Sequence, residues 1–262
     1  MAELLFWPAL VAYGEAALAY AGNARHPGQA GRLGTWGVRL GWLLQTALLS
    51  VQAARADGFP WDAWAGSLNL FVWLVVTGYL VWGCRARYRL LGLAVMPLAA
   101  VLLVVARIGG GTSLGERSRY SSVFLVLHVG LVLTAFAGFT LAAALSALYL
   151  WQERLLKRRR PGGLLGRAPS LLTLETLAAR TVTVAVPALT AGIVAGLVRL
   201  RGSGSGIDAL MAVTLVTWLV YGSYLLLHYE AGLRGRRAAR LLLAGFVLVV
   251  VARLGLPLTH FS

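Results

Sequence analysis

Apolar residues in this chain come in long runs separated by short polar connections, not in the one-sided stripes of a soluble helix. TWGVRLGWLLQTALLSVQAA, FVWLVVTGYLVW, LLGLAVMPLAAVLLVVA, FLVLHVGLVLTAFAGFTLAAALSALYLW and LLLAGFVLVVVARLGLPL lie near or above the length that crosses a hydrocarbon core of about 30 Å. The pattern predicts an all-α polytopic transmembrane bundle of eight spans, roughly 4–22, 35–53, 64–83, 89–107, 121–152, 180–199, 207–229 and 237–256. Residues 1–262 then form a single transmembrane domain, with one sizeable basic connection at 153–179. The fifth span would reach about 48 Å at about 1.5 Å per residue, so it must tilt or project from the bilayer. Within the basic connection, PSLLTLETL reads as a Ser-capped amphipathic short helix at the interface. GGGTSLGERSRY and RLRGSGSGID read as external loops.

Composition sharpens this picture. Hydrophobic residues make up 59% of the chain and charged residues 13%, against about 25% charged in soluble domains, which leaves no stretch to fold as one. The net charge of +15 comes from basic residues placed between apolar runs, so it reads as a topology signal and predicts no nucleic-acid partner. With the N-terminus outside, 17 of the 24 Lys and Arg fall on the cytoplasmic connections, which sets both termini external. Attraction to anionic membrane lipid is the secondary consequence. The single cysteine, Cys84, excludes an internal disulfide, and Glu3 in place of a basic leader predicts a retained first helix.

Ionisable groups near the bilayer are the candidates for chemistry, because burying them is costly. His128 in the fifth span and His260 after the eighth fall at the same external level. Together they could serve as axial ligands of a haem or bind one metal; the alternative is two interfacial histidines bonded to carbonyls. His228 ends the seventh span as an interface anchor or membrane ligand, and His26 lies in a basic loop. Glu15 sits mid-span in AYGEAALAY, where a carboxylate needs an internal partner, a proton or a ligand path. Arg107, Arg117, Arg119, Arg199, Arg201 and Arg253 stay outside, where topology does not require them, and their forks suit carboxylates such as haem propionates. Trp61 and Trp64 suit an external aromatic belt. The sequence holds no HExxH, GxSxG, P-loop or dinucleotide fingerprint, so no enzyme is expected.

LHVGLVLTAFAGFTLAAALSALYLWQERLLKRRRPG, PSLLTLETLAARTVTVAVPALTAGIVAGLV, the C-terminal block from TWLVYGSYLLLHYE onward and GFPWDAWAGSLNLFVWL resemble the cytochrome c assembly family. That family spans CcsA/ResC-like haem-handling proteins and the shorter HemX and YpjD types. The resemblance implies a multi-pass protein of the bacterial cytoplasmic membrane that binds haem b in cytochrome c assembly or haem homeostasis. His128 and His260 match the two external haem ligands in position, His228 matches a membrane histidine, and the external arginines become propionate contacts. Two departures stand out: RLRGSGSGID replaces the Trp-rich WWD loop, and Gly58 stands where a second membrane histidine would precede Phe59-Pro60. These point to the HemX/YpjD branch. The implied partners are a cytochrome c assembly protein or a haem-biosynthetic enzyme. The alternative function is a regulator of glutamyl-tRNA reductase acting through the basic connection, and a less favoured one is a small-molecule permease using Glu15.

Overall fold

The computed structural model describes residues 2–25, 29–55, 60–61, 63–83, 88–112, 123–158, 169–203 and 209–251. The described residues fold as α-helix without strands. The helices are α1 (Ala2–Arg25), α2 (Ala30–Arg55), α3 (Trp64–Gly83), α4 (Arg89–Ile108), α5 (Val123–Lys157), α6 (Leu171–Ser203), α7 (Ala209–Tyr229) and α8 (Gly235–Val250). The expected all-α bundle and its eight helices are therefore present. Six of them, α1 and α3 to α7, are long and apolar enough to cross a membrane.

One expectation changes. PSLLTLETL is not a separate interfacial helix: α6 runs unbroken from Leu171 through Pro187 to Ser203. Nothing between Leu171 and Val186 breaks a helix, and proline is tolerated mid-span because surrounding groups re-satisfy the freed backbone. At about 1.5 Å per residue, the 35 residues of α5 span about 52 Å and exceed the bilayer core.

The chain divides into two compact units: Met1–Arg119 with Arg154–Ser170, and Tyr120–Glu153 with Leu171–Ser262. In the first, α2 presents glycines to tyrosines of α1. A Cβ at Gly34 would lie 2.8 Å from the Tyr20 ring, and one at Gly41 would lie 2.6 Å from the Tyr13 ring. Both pairs are seven residues apart and run in opposite senses, so α1 and α2 pack antiparallel with small residues under large ones. Across α2 and α3, Trp42 Nε1 donates to Thr77 Oγ1 and Trp73 Nε1 donates to Thr46 Oγ1, each at 2.8 Å. Each threonine in turn donates to the carbonyl of the tryptophan four residues earlier on its own helix, at 2.7 Å. The two indoles stack with centroids 5.9 Å apart. The result is a reciprocal clasp built from one Trp-x-x-x-Thr on each helix.

In the second unit α5 is the axis. Phe139 on α5 stacks on Tyr221 of α7 at 3.7 Å, and Tyr221 donates to Leu242 O of α8 at 3.2 Å over Gly245. On its other flank, Gly138 of α5 meets Ala185 of α6, where an added Cβ would come within 2.9 Å. Trp218 of α7 donates to Thr190 of α6 at 2.8 Å, and the Tyr229 and Thr183 hydroxyls lie 3.0 Å apart. These pairings make α6 antiparallel to both α5 and α7.

Candidate functional site

His128 lies in the second turn of α5, facing α6. Gly192 and Gly196, one turn apart, put a bare strip of α6 opposite it. A Cβ at Gly196 would stand 2.8 Å from His128 Cε1, so the imidazole occupies space that only glycine leaves. His128 Nδ1 is 2.7 Å from the Gly192 carbonyl oxygen. A carbonyl only accepts, so Nδ1 carries the proton, and in the neutral ring Nε2 bears the lone pair. That tautomer is the one a metal ligand needs, with the backbone bond acting as the orienting group behind it.

Beside the histidine, between α5 and α6, runs an open apolar groove of about 680 Å³. Leu127, Leu131, Pro187, Thr190, Ala191 and Val194 help line it, and Thr190 supplies a polar hydroxyl to its wall. Thr190 donates to Val186 O at 2.9 Å and accepts from Trp218, so its hydroxyl is held in place. Pro187 lacks an N–H, which leaves the Thr183 carbonyl without its intrahelical donor and lets the helix bend at the groove. The groove is open along its length and lined almost wholly by apolar side chains.

His228 forms a separate locus. It closes α7, its Nδ1 lies 2.9 Å from Leu233 O, and it stacks on Tyr224 at 5.6 Å. Gly232 and Gly235, at φ +64 and +68, make the tight turn that returns Leu233 beneath the ring. The same argument assigns its proton to Nδ1. His128 sits level with Gly192 on α6, while His228 adjoins Tyr229 at the level of Thr183. Nine residues of helix, roughly 14 Å at about 1.5 Å per residue, separate the two levels, so these histidines do not share one ligand.

The other expected site residues fall as follows. Arg107 is half-buried in the last turn of α4 with its guanidinium 5.8 Å from the Phe6 ring centre. Glu15 is exposed on the outer face of α1, and among the described residues it forms no ion pair. Arg199 and Arg201 extend α6 past the groove, with side chains outside the described residues. His260, Arg117, Arg119 and Arg253 lie outside the described residues, as do His26 and Cys84. No group of three or more metal-ligating side chains occurs among the described residues.

A polar chain through the first unit goes beyond the expected site residues. Tyr13 donates to Gln45 Oε1 at 2.8 Å, and Gln45 Nε2 donates to Asn69 Oδ1 at 2.9 Å. Asn69 Nδ2 and Gln52 Nε2 both donate to Gly111 O, at 3.3 and 3.2 Å, and Trp61 Nε1 donates to Gln52 Oε1 at 3.3 Å. Gln45 and Asn69 are fully buried. The Gly-Gly-Gly segment is thus an anchored turn: a Cβ at Gly111 would fall on the Ala65 carbonyl. The sequence does carry a signal for this chain, since three amides in apolar runs (Gln45, Gln52 and Asn69) must find partners to be tolerated there.

Long apolar helices joined by polar contacts internal to each unit define a polytopic helical membrane protein. The chain belongs to the cytochrome c assembly protein family, whose model matches residues 61–260. It is similar to protein HemX of Brevibacillus brevis, at 29% identity over 84% of this chain and 82% of that protein. Cytochrome c biogenesis protein CcsA of Gloeothece citriformis is 26% identical, covering 86% and 84%. HemX of Bacillus subtilis is 25% identical, covering 87% and 84%. Family membership supports a membrane role in cytochrome c biogenesis and associates the chain with haem.

Proposed function

We propose that this protein holds haem in the membrane for cytochrome c biogenesis, with His128 as an axial ligand. The observation that carries the reading is the His128–Gly192 bond, which puts the ring proton on Nδ1 and the lone pair on Nε2, while Gly196 makes room for the ring. The groove lined by Leu127 and Leu131, the neighbours of His128 along α5, supports it, because a flat macrocycle with apolar faces suits leucine, valine, alanine and proline walls. Bound there, haem would supply the iron and vinyl chemistry; the protein orients it, excludes water and fixes the ligand tautomer. His260 is the proposed second ligand, on the resemblance. Arg199 and Arg201, which follow the groove along α6, together with Arg107, Arg117 and Arg119, are the proposed propionate partners. Haem b, the external placement of the site and a bacterial inner-membrane location belong to the same proposal.

The test is the absorption spectrum of detergent-purified protein from haem-replete cells. A Soret band is expected, lost in His128→Ala and weakened in Gly196→Ala. A wild-type protein with no such band that also fails to bind added haemin overturns the assignment. The likeness to HemX proteins favours a second reading, control of a haem-biosynthetic enzyme such as glutamyl-tRNA reductase through the basic 153–179 connection. It predicts that replacing Lys157, Arg158, Arg159 and Arg160 by Gln abolishes enzyme pull-down; unchanged pull-down excludes it.

A further inference from the structure

At one end of the first unit the start of α4 meets the end of α1 and the start of α2. A Cβ at Gly31 would lie 2.6 Å from Arg89 Nη1 and 2.6 Å from Asn23 Oδ1, so the guanidinium and the carboxamide converge over one bare position. Arg89 is half-buried, and its Nε is fully shielded without a hydrogen-bond partner. A guanidinium held this way is incomplete, because its five donors form a fork that matches carboxylate or phosphate oxygens.

Among the described residues no carboxylate pairs with it. Segments 24–34, 83–92 and 154–170 all belong to this unit, and together they hold 11 Lys and Arg with no Asp or Glu. Neither α2 nor α4 has an acidic residue in its first turn, and Tyr88 caps α4 without a side-chain hydrogen bond. Both helix starts therefore add partial positive charge to that of Arg89. The missing counter-ion is an anion from outside the chain. Because this end terminates membrane-spanning helices, the anion within reach is the phosphate at headgroup depth.

We propose that Arg89, seated over Gly31 beside Asn23, binds the phosphate of an anionic phospholipid and so fixes this end of the bundle to one membrane surface. The full chain, purified in a neutral detergent, would be mixed with phosphatidylglycerol and phosphatidylcholine, and retained lipid counted by native mass spectrometry. Wild-type protein retains phosphatidylglycerol in preference to phosphatidylcholine, and Arg89→Gln loses about tenfold in that retention, the scale of one charge-assisted bidentate contact. Arg89→Lys, which keeps the charge but not the fork, falls between them. Gly31→Ala leaves net charge unchanged and displaces the guanidinium, so its retention also drops.

Arg32→Gln and Arg240→Gln, at exposed positions, keep wild-type retention. If they lose as much as Arg89→Gln, the attraction is diffuse and the site is overturned. Equal retention in Arg89→Gln and wild type overturns it directly. Full displacement of the lipid by millimolar inorganic phosphate assigns the site to free phosphate and overturns the lipid reading. Should Arg89→Gln fail to fold, the Lys and Gly31→Ala variants decide, and unchanged retention in both overturns the proposal.

Discussion

In the first unit, α2 and α3 answer each other with two tryptophans, two threonines and a run of amides, and nearly every contact has a donor and an acceptor. The second unit is joined differently. Phe139 on Tyr221, Gly138 under Ala185 and Gly192 under Val132 are matters of shape, and its polar contacts, such as Trp218 to Thr190 and Tyr221 to Leu242 O, are single bonds and not a connected chain. The share of the apolar stretch that is buried is 33% in α1, 56% in α3 and 44% in α4 of the first unit, while the second concentrates burial in α5, at 61%, and leaves 28% in α6 and 17% in α7. Within hydrocarbon, apolar faces gain little by meeting each other, whereas polar groups gain by pairing. The first unit is therefore pinned in one arrangement. The second keeps α5 as an axis, with α6 and α7 open to lipid and to an apolar ligand.

Substitutions can set the two units against each other. Tyr221→Ala removes the ring stacked on Phe139 and leaves a cavity, so it should cost about 3 kcal/mol in denaturant unfolding in micelles. Asn69→Leu removes the side-chain acceptor of Gln45 Nε2 and one of the two donors to Gln52 Oε1, and should cost about 2 kcal/mol by the same measurement. It should leave the Soret band intact; loss of the band would show that the first unit shapes the haem site after all. Gly196→Ala should do the reverse, with stability changed by less than about 1 kcal/mol and the band weakened, because only the His128 ring must move. Thr46→Val and Thr77→Val should each cost about 0.6 kcal/mol, and the double mutant should reveal positive coupling, since stacking of the two indoles depends on both bonds. Glu15→Gln, on the exposed face of α1, should change neither stability nor haem content; a fall in either would assign the carboxylate a partner.

The helices are legible because hydrocarbon demands long apolar runs: α3 begins and ends where the pattern puts it, and α4 differs by one residue. The start of α6 misleads because LLTLETLAAR is amphipathic by composition, and only its continuity with the next span shows that it is not a separate helix. His128 can be singled out as an imidazole in a span. Its tautomer cannot, because that depends on a carbonyl 64 residues away across a glycine strip. The Gln45–Asn69–Gln52 chain escapes a search for ionisable groups because amides carry no charge.

The clasp between α2 and α3 bears on how the chain enters the membrane. α2 carries Arg32, Arg39, Gln45 and Gln52 and is not among the helices apolar enough to span alone, while α3 is. Tyr13 of α1 already meets Gln45 Oε1, but the partners for Gln45 Nε2, the Trp42 indole and Thr46 arrive only when Asn69, Thr77 and Trp73 have been synthesised. Helix α2 should therefore integrate as half of a hairpin and not as an independent stop.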